Sequence, residues 1–282
     1  MARNYYYFVS GLPDLILDEN KNLVPFEFFM EEAQEELHIK DIEIIRALRL
    51  PVDNANLIRI VESRHEKFDP RGNFSQEELM SSIRNPQPLP HYMQQFLAAH
   101  SENRDLFAGL IPEDQLNQLF FDWVTAHKNK FLREWFTFEL NLSNILTAVN
   151  CRKNLEHIDA LATDRDRAAV FTVIGQNEVT EAILRSSAPD FGLSSTLPWL
   201  ERVLSLSKGN LTDMEKGIDQ LRWETVDELT TFSYFQIETI AAFTIKLMIV
   251  ERWLKLDPET GKAKLDRLVE DLKNSYSVPE GF

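Results

Sequence analysis

The sequence predicts an all-α chain, and three observations lead there. Long stretches with helical periodicity run almost free of glycine and proline, from Pro112 to Asn154 and again from Leu211 to Leu256. Only nine of the 282 residues are glycine, the residue that helix interiors tolerate poorly after proline. No alternation of strand and helix patterns runs along the chain, so a parallel sheet has no source. The expected architecture is roughly ten helices.

Taken in order, Tyr5-Tyr6-Tyr7-Phe8-Val9 is the one β-like run, readable as a short buried strand or as the first turn of a helix before Gly11-Leu12-Pro13. Pro25 to Leu37 predicts a helix with Pro25 at its start and Phe26, Phe29, Met30, Ala33 and Leu37 on one face. Asp41 can cap a helix over Ile42 to Leu50 that stops before Pro51, and Asp53 can cap the next, through Leu57, Ile58, Ile60 and Val61. Ser75 and Glu78 have capping-box spacing ahead of Leu79, Met80 and Ile83. Asn85-Pro86-Gln87-Pro88-Leu89-Pro90 cannot continue a helix and reads as a linker. His91 to His100 is helical, Pro112 to Asn154 is one or two long helices, and Ser186 to Pro198 is a second break. Leu211 to Leu256 is helical with Gly217 as a possible interruption, Asp257 to Gly261 is a turn, and Lys262 to Lys273 is a last helix before a loose tail. These breaks divide the chain into lobes over 1–85, 91–186 and 198–282, packed as one compact unit.

The net charge of −15 argues against nucleic acid, whose binding draws most of its affinity from basic surface. It also argues against direct lipid binding through a polybasic patch. Cys151 is the lone cysteine, so no intramolecular disulfide forms, and a reducing, cytoplasmic setting is expected. The apolar stretch Ile237 to Val250 carries Glu238 and Lys246 and is too short and too polar to span a bilayer unaided.

The search for chemistry is nearly empty. Phosphate-binding glycine loops and the GxSxG elbow are absent. The six histidines are scattered, and Cys151 beside Arg152 and Lys153 reads as an idle thiol at a helix end. Ser205-Leu206-Ser207-Lys208 matches SxxK, yet Gly209 follows at once, the mark of a helix C-terminus. Glu35 with His38 and Glu62 with His65 have the Glu-x-x-His spacing of helical di-metal sites, but both histidines lie near helix ends among charges. No catalytic, metal or cofactor residue and no small-molecule substrate is assigned.

One pattern recurs: aromatic, Phe, any residue, apolar, Glu. It reads Trp135-Phe136-Thr137-Phe138-Glu139 and Tyr234-Phe235-Gln236-Ile237-Glu238, each placed by periodicity within a long helix. A carboxylate among large apolar residues is paired or wet, because burying a bare charge is costly. Glu139 has Ser143 one turn on and Glu238 has Ala242, so Glu238 is expected to need a partner from another element. Glu139→Ala is then the milder change, unless Glu139 pairs with Arg152 or another cation.

Phe131 to Lys153 resembles the middle helix of the C/d subunit of V/A-type rotary ATPases. In that family an acidic residue is followed two positions on by Asp, then by Asn-Ile and a basic end. Glu139, Asn144-Ile145 and Arg152-Lys153 fall on the pattern, Asn141 replaces the Asp, and Arg152 comes somewhat late. The opening NYYYFVSGLPDL resembles the aromatic start of such subunits, and Phe235, Glu238, Ala242 and Phe243 fit their second such helix. The end of that helix departs, with Met248, Ile249 and Val250 in place and Glu251-Arg252 out of register. The resemblance covers three pieces of the chain and implies a divergent bacterial member. It implies a helical funnel of quasi-repeated lobes without an active site. Such a funnel seats on the membrane proteolipid ring and receives the rotor shaft on the cytoplasmic face. Glu139, Asn141, Asn144, Arg152, Phe235 and Glu238 are then the structural or interaction candidates. On this expectation bare liposomes are not bound, and membrane association waits on the ring. A helical scaffold or adaptor unrelated to the ATPase is the alternative, and an enzyme the third class.

Overall fold

The computed structural model describes residues 3–17, 24–65, 67–86, 88–158 and 172–256. Among them all regular structure is helical. In chain order the helices are α1 (Tyr6–Gly11), α2 (Phe26–Glu36), α3 (Ile39–Val61), α4 (Gln76–Ser82), α5 (His91–Ser101), α6 (Pro112–Thr125), α7 (Lys130–Ile158), α8 (Glu178–Arg185), α9 (Leu200–Leu206), α10 (Leu211–Thr230) and α11 (Ile237–Leu256). The expected turn at Asp257 to Gly261 and the helix Lys262 to Lys273 lie outside the described residues.

Several starts follow their local chemistry. Pro25 sits at the N-cap of α2, where its missing N–H costs nothing. Ser75 and Glu78 close a reciprocal capping box on α4. The Asn129 side chain accepts from the Leu132 N–H at 2.9 Å and so caps α7. The aromatic opening is helix α1, not a strand.

Four expectations are corrected. Helix α3 does not stop before Pro51 but runs through it. A proline there removes one donor from the ladder without ending a helix whose Ile45, Leu48, Leu57 and Ile58 are buried on both sides of it. Asp53 therefore lies inside a helix, not at a cap. The stretch Leu211 to Leu256 breaks at 231–236, so Tyr234, Phe235 and Gln236 of the second cassette stand in a turn and only Ile237 and Glu238 enter α11. Gly217 interrupts nothing: it lies within α10, where a Cβ would fall 2.4 Å from the Leu206 side chain.

The chain divides into two compact units. The first is built from Met1–Leu48 and Trp223–Phe282, the second is Arg49–Arg222, and the proline-rich segment 85–90 falls inside the second. In the first unit α2 packs on α11 through Phe29 and Phe243, whose ring centres are 5.1 Å apart. The buried Glu251 of α11 accepts from the Phe26 N–H at 2.9 Å, placing a carboxylate on the first turn of α2. In the second unit α5, α6 and α7 pack in succession. Phe120 stands edge-on to Phe136 with centres 5.0 Å apart and meets Tyr92 at 5.7 Å. Leu116, Leu132, Leu142 and Ile145 complete a fully buried core.

Candidate functional site

Helix α7 carries four of the six candidate residues, and it uses them inside the second unit. Asn141, Asn144 and Arg152 recur at i, i+3 and i+11, one face of a helix. That face holds the segment that leads into and out of α8. The Asn144 amide donates to the Ile174 carbonyl at 2.7 Å and accepts from the Ile174 N–H at 3.0 Å, so one side chain replaces a backbone partner. Asn141 accepts from the Asn177 amide at 2.9 Å, while the other end of Asn177 caps α8 by accepting from the Thr180 N–H. Gln118 of α6 accepts from the Gly175 N–H at 2.5 Å. Gly175 has φ +81°, the left-handed region that favours glycine, and a Cβ there would also press on the Leu140 side chain at 2.8 Å. Arg152 donates to the carbonyls of Ser186 and Ala188 at 2.6 and 2.5 Å and lies 3.9 Å over the ring of Phe191. Lys153 donates to the Ser207 carbonyl, which ends α9.

Another face of α7 presents Glu139, and Arg222 of α10 grips it with two nearly parallel bonds of 2.8 and 3.1 Å. Arg222 also reaches the buried Asp219 at 3.1 Å. Burial works against the guanidinium charge, but the Glu139 and Asp219 carboxylates outweigh it and hold Arg222 protonated more firmly than usual. Glu139 thus has a cation from another helix rather than a local Ser143 bond, and Arg152 is engaged elsewhere.

Phe235 and Glu238 belong to the first unit. The Phe235 ring meets Tyr6 with centres 4.7 Å apart, and its carbonyl accepts from the Tyr5 N–H at 2.6 Å. Glu238 sits half-buried in the first turn of α11, and among the described residues no ion pair or hydrogen bond engages its carboxylate. It does not draw the cross-element partner expected for it.

The densest polar cluster went unread in the sequence. Asp53, Asn54 and Asn56 lie fully or almost fully buried on α3. Asp53 accepts from the Asn73 N–H at 2.7 Å, the Asn73 amide at 2.6 Å and the Phe74 N–H at 3.2 Å. Asn56 brackets Asp69, donating to its carbonyl at 2.7 Å and accepting from its N–H at 3.0 Å. Arg49 donates to the carbonyls of Arg71 and Gly72. Burial pushes the Asp53 carboxyl up to about 6 against the pull of those N–H donors and of the Arg49 charge. At position 72 a Cβ would lie 2.3 Å from an Asp53 oxygen, so any larger residue must displace the Asp53 carboxyl. The compact signal was the amide-rich run Asp53-Asn54-Ala55-Asn56 between the apolar positions Leu50 and Leu57, followed by the turn-rich Asp69-Pro70-Arg71-Gly72-Asn73.

An open groove of about 470 Å³ runs along α7, lined by Thr137, Phe138, Asn141, Glu134, Arg133, Thr125 and Trp199. Its cation is occupied, since Arg133 donates to the carbonyls of His127 and Lys128 at 2.8 and 2.9 Å. Burial pushes the Cys151 thiol up, away from the thiolate that reactivity needs. Among the described residues no group of three or more His, Cys, Asp or Glu side chains could hold a metal ion, and no helix is long and apolar enough to cross a membrane. Glu62, which has Glu-x-x-His spacing to His65, is bound to Arg64 at 2.5 Å.

No curated protein and no solved structure matches the chain. Residues 1–276 match the family described as protein of unknown function (DUF2764), and the chain belongs to that family.

Proposed function

We propose that the protein is a non-catalytic coupling element of a V/A-type rotary ATPase, seated between the rotor shaft and the proteolipid ring. One observation carries the reading. The residues that carry the middle-helix piece of the resemblance to the C/d subunit, Glu139, Asn144-Ile145 and Arg152-Lys153, all lie on α7, the longest described helix. A part that passes torque needs stiffness more than a reaction centre. The fastening of α7 to the 174–191 segment and to Arg222 supplies stiffness of that kind. The departure at Asn141 is compatible with this role, because its amide still binds Asn177.

Mild-detergent extraction of the ATPase with a tag on this chain tests the proposal. The expected result is co-purification of both proteolipid ring and shaft subunits. A chain that recovers neither, while the ring and shaft remain joined to each other, overturns it.

A further inference from the structure

The first unit displays a group of exposed aromatic side chains. Tyr7 is 89% exposed and Phe232 87%, with Tyr234 at 69% and Tyr6 at 58%. These residues sit on two segments that are pinned together, the start of α1 and the turn 231–236, by the Tyr5 N–H on the Phe235 carbonyl and by Tyr6 against the Phe235 ring. Exposed large apolar side chains grouped in this way mark interaction surface rather than solvent-facing chance.

The charges that flank the turn are mostly acidic, and Arg3 ahead of α1 is already paired with Asp41 at 3.3 Å. From Trp223 to Ile245 the sequence has Glu224, Asp227, Glu228 and Glu238 and no Lys or Arg, and α1 carries no charge at all. Asp227 is taken by Lys246 at 2.5 Å, but the carboxylates of Glu228 and Glu238 engage no cation among the described residues. The same unit holds one example of a cation shared by an aromatic face and a carboxylate. Lys246 lies 4.7 Å from the centre of the Trp223 ring while it pairs with Asp227, so an aromatic face and a carboxylate share one cation.

We propose that the α1 start and the 231–236 turn together form a docking surface for a protein segment that presents arginine or lysine beside aliphatic side chains. Tyr7, Phe232 and Tyr234 take the cationic and aliphatic groups on their faces, and Glu228 and Glu238 supply the countercharge. An anionic membrane and a second copy of this acidic chain both meet like charge at that surface. The inference stands on first-unit residues alone and does not require the rotor reading.

The test uses a fluorescein-labelled amphipathic helical peptide with one arginine face and one leucine face, titrated with the full chain by fluorescence anisotropy. Saturable binding is expected, with hydrogen-exchange protection over 5–8 and 228–238. The double variants Tyr7→Ser/Phe232→Ser and Glu228→Lys/Glu238→Lys each weaken it by at least about fivefold, with circular dichroism unchanged. Glu201→Lys, an exposed acid of the other unit, changes it by less than about twofold. Absence of saturable binding overturns the proposal, as does an equal loss from Glu201→Lys, which would mean general attraction to an acidic protein. Binding to phosphatidylglycerol vesicles that is lost in Tyr7→Ser/Phe232→Ser overturns it in favour of a lipid surface. Sedimentation showing a dimer that the same variant dissociates overturns it in favour of self-association.

Discussion

The two cassettes share a pattern and have opposite fates. Trp135 to Glu139 lies well inside α7, with Trp135, Phe136 and Phe138 buried and Glu139 held bidentate by Arg222. Tyr234 to Glu238 straddles a turn and a helix start, with Tyr234 exposed and Glu238 unengaged among the described residues. The difference is one of position in the helix. In mid-helix the backbone N–H groups are spent, so a sheltered carboxylate needs a side-chain cation. In the first turn the free N–H groups and the helix dipole favour negative charge, and water does the rest. A glutamate following aromatics therefore says little about its environment until its distance from the helix end is known.

Substitutions can break that contrast, and the largest effect is expected at the cation. Arg222→Met removes the cation that binds both Glu139 and the buried Asp219, and should cost about 4 kcal/mol in urea unfolding. Glu139→Ala should cost about 2 kcal/mol, since Arg222 keeps Asp219. This reverses the order expected when Glu139 has only Ser143 nearby.

A third carboxylate sharpens the comparison because N–H donors hold it. Asp53 has its carboxyl raised from an ordinary 3.8 to about 6 by burial. The folded state binds that proton more tightly than the unfolded chain does. The Asp53 contribution to stability is therefore full below about pH 4 and is lost as pH rises through about 6, to the extent of about 3 kcal/mol. Urea midpoints across that window should fall more steeply with rising pH for the wild type than for Asp53→Asn, which cannot titrate. Equal slopes would mean that Asp53 is not proton-linked.

Smaller effects follow on the Asn face of α7. Asn144→Leu strands both polar groups of Ile174 and should cost about 2 kcal/mol by the same unfolding assay. At the bottom of the scale, Glu238→Ala should shift stability by only a few tenths of a kcal/mol. A loss comparable to that of Glu139→Ala would erase the distinction between the cassettes.

Much of the helical layout was legible in the sequence because its signals are local. Pro25 and the Ser75/Glu78 pair mark helix starts within a few residues, and the periodicity of 112–154 lies along one chain segment. The polar fastenings were not legible, because their partners are distant. Glu139 finds Arg222 across 83 positions and Asn144 finds Ile174 across 30, and no spacing rule joins such pairs. Pro51 misled because a proline inside a helix is uncommon enough that a boundary is the better first guess, yet apolar burial carries α3 past it. The break at 231–236 left a faint mark: Thr230-Thr231-Phe232-Ser233-Tyr234-Phe235 is an unbroken run of weak helix formers.

The claim that α7 is locked into the second unit by its acidic cassette is tested most directly by a double-mutant cycle on Glu139 and Arg222. Glu139→Ala, Arg222→Ala and the double variant are unfolded in urea beside the wild type, and the coupling is taken from the four stabilities. Two parallel, sheltered charge-assisted bonds predict a coupling of about 2 kcal/mol, with the double variant clearly less damaged than the sum of the singles. Additivity within about 0.3 kcal/mol would mean that the two side chains do not hold each other, and would contradict the account.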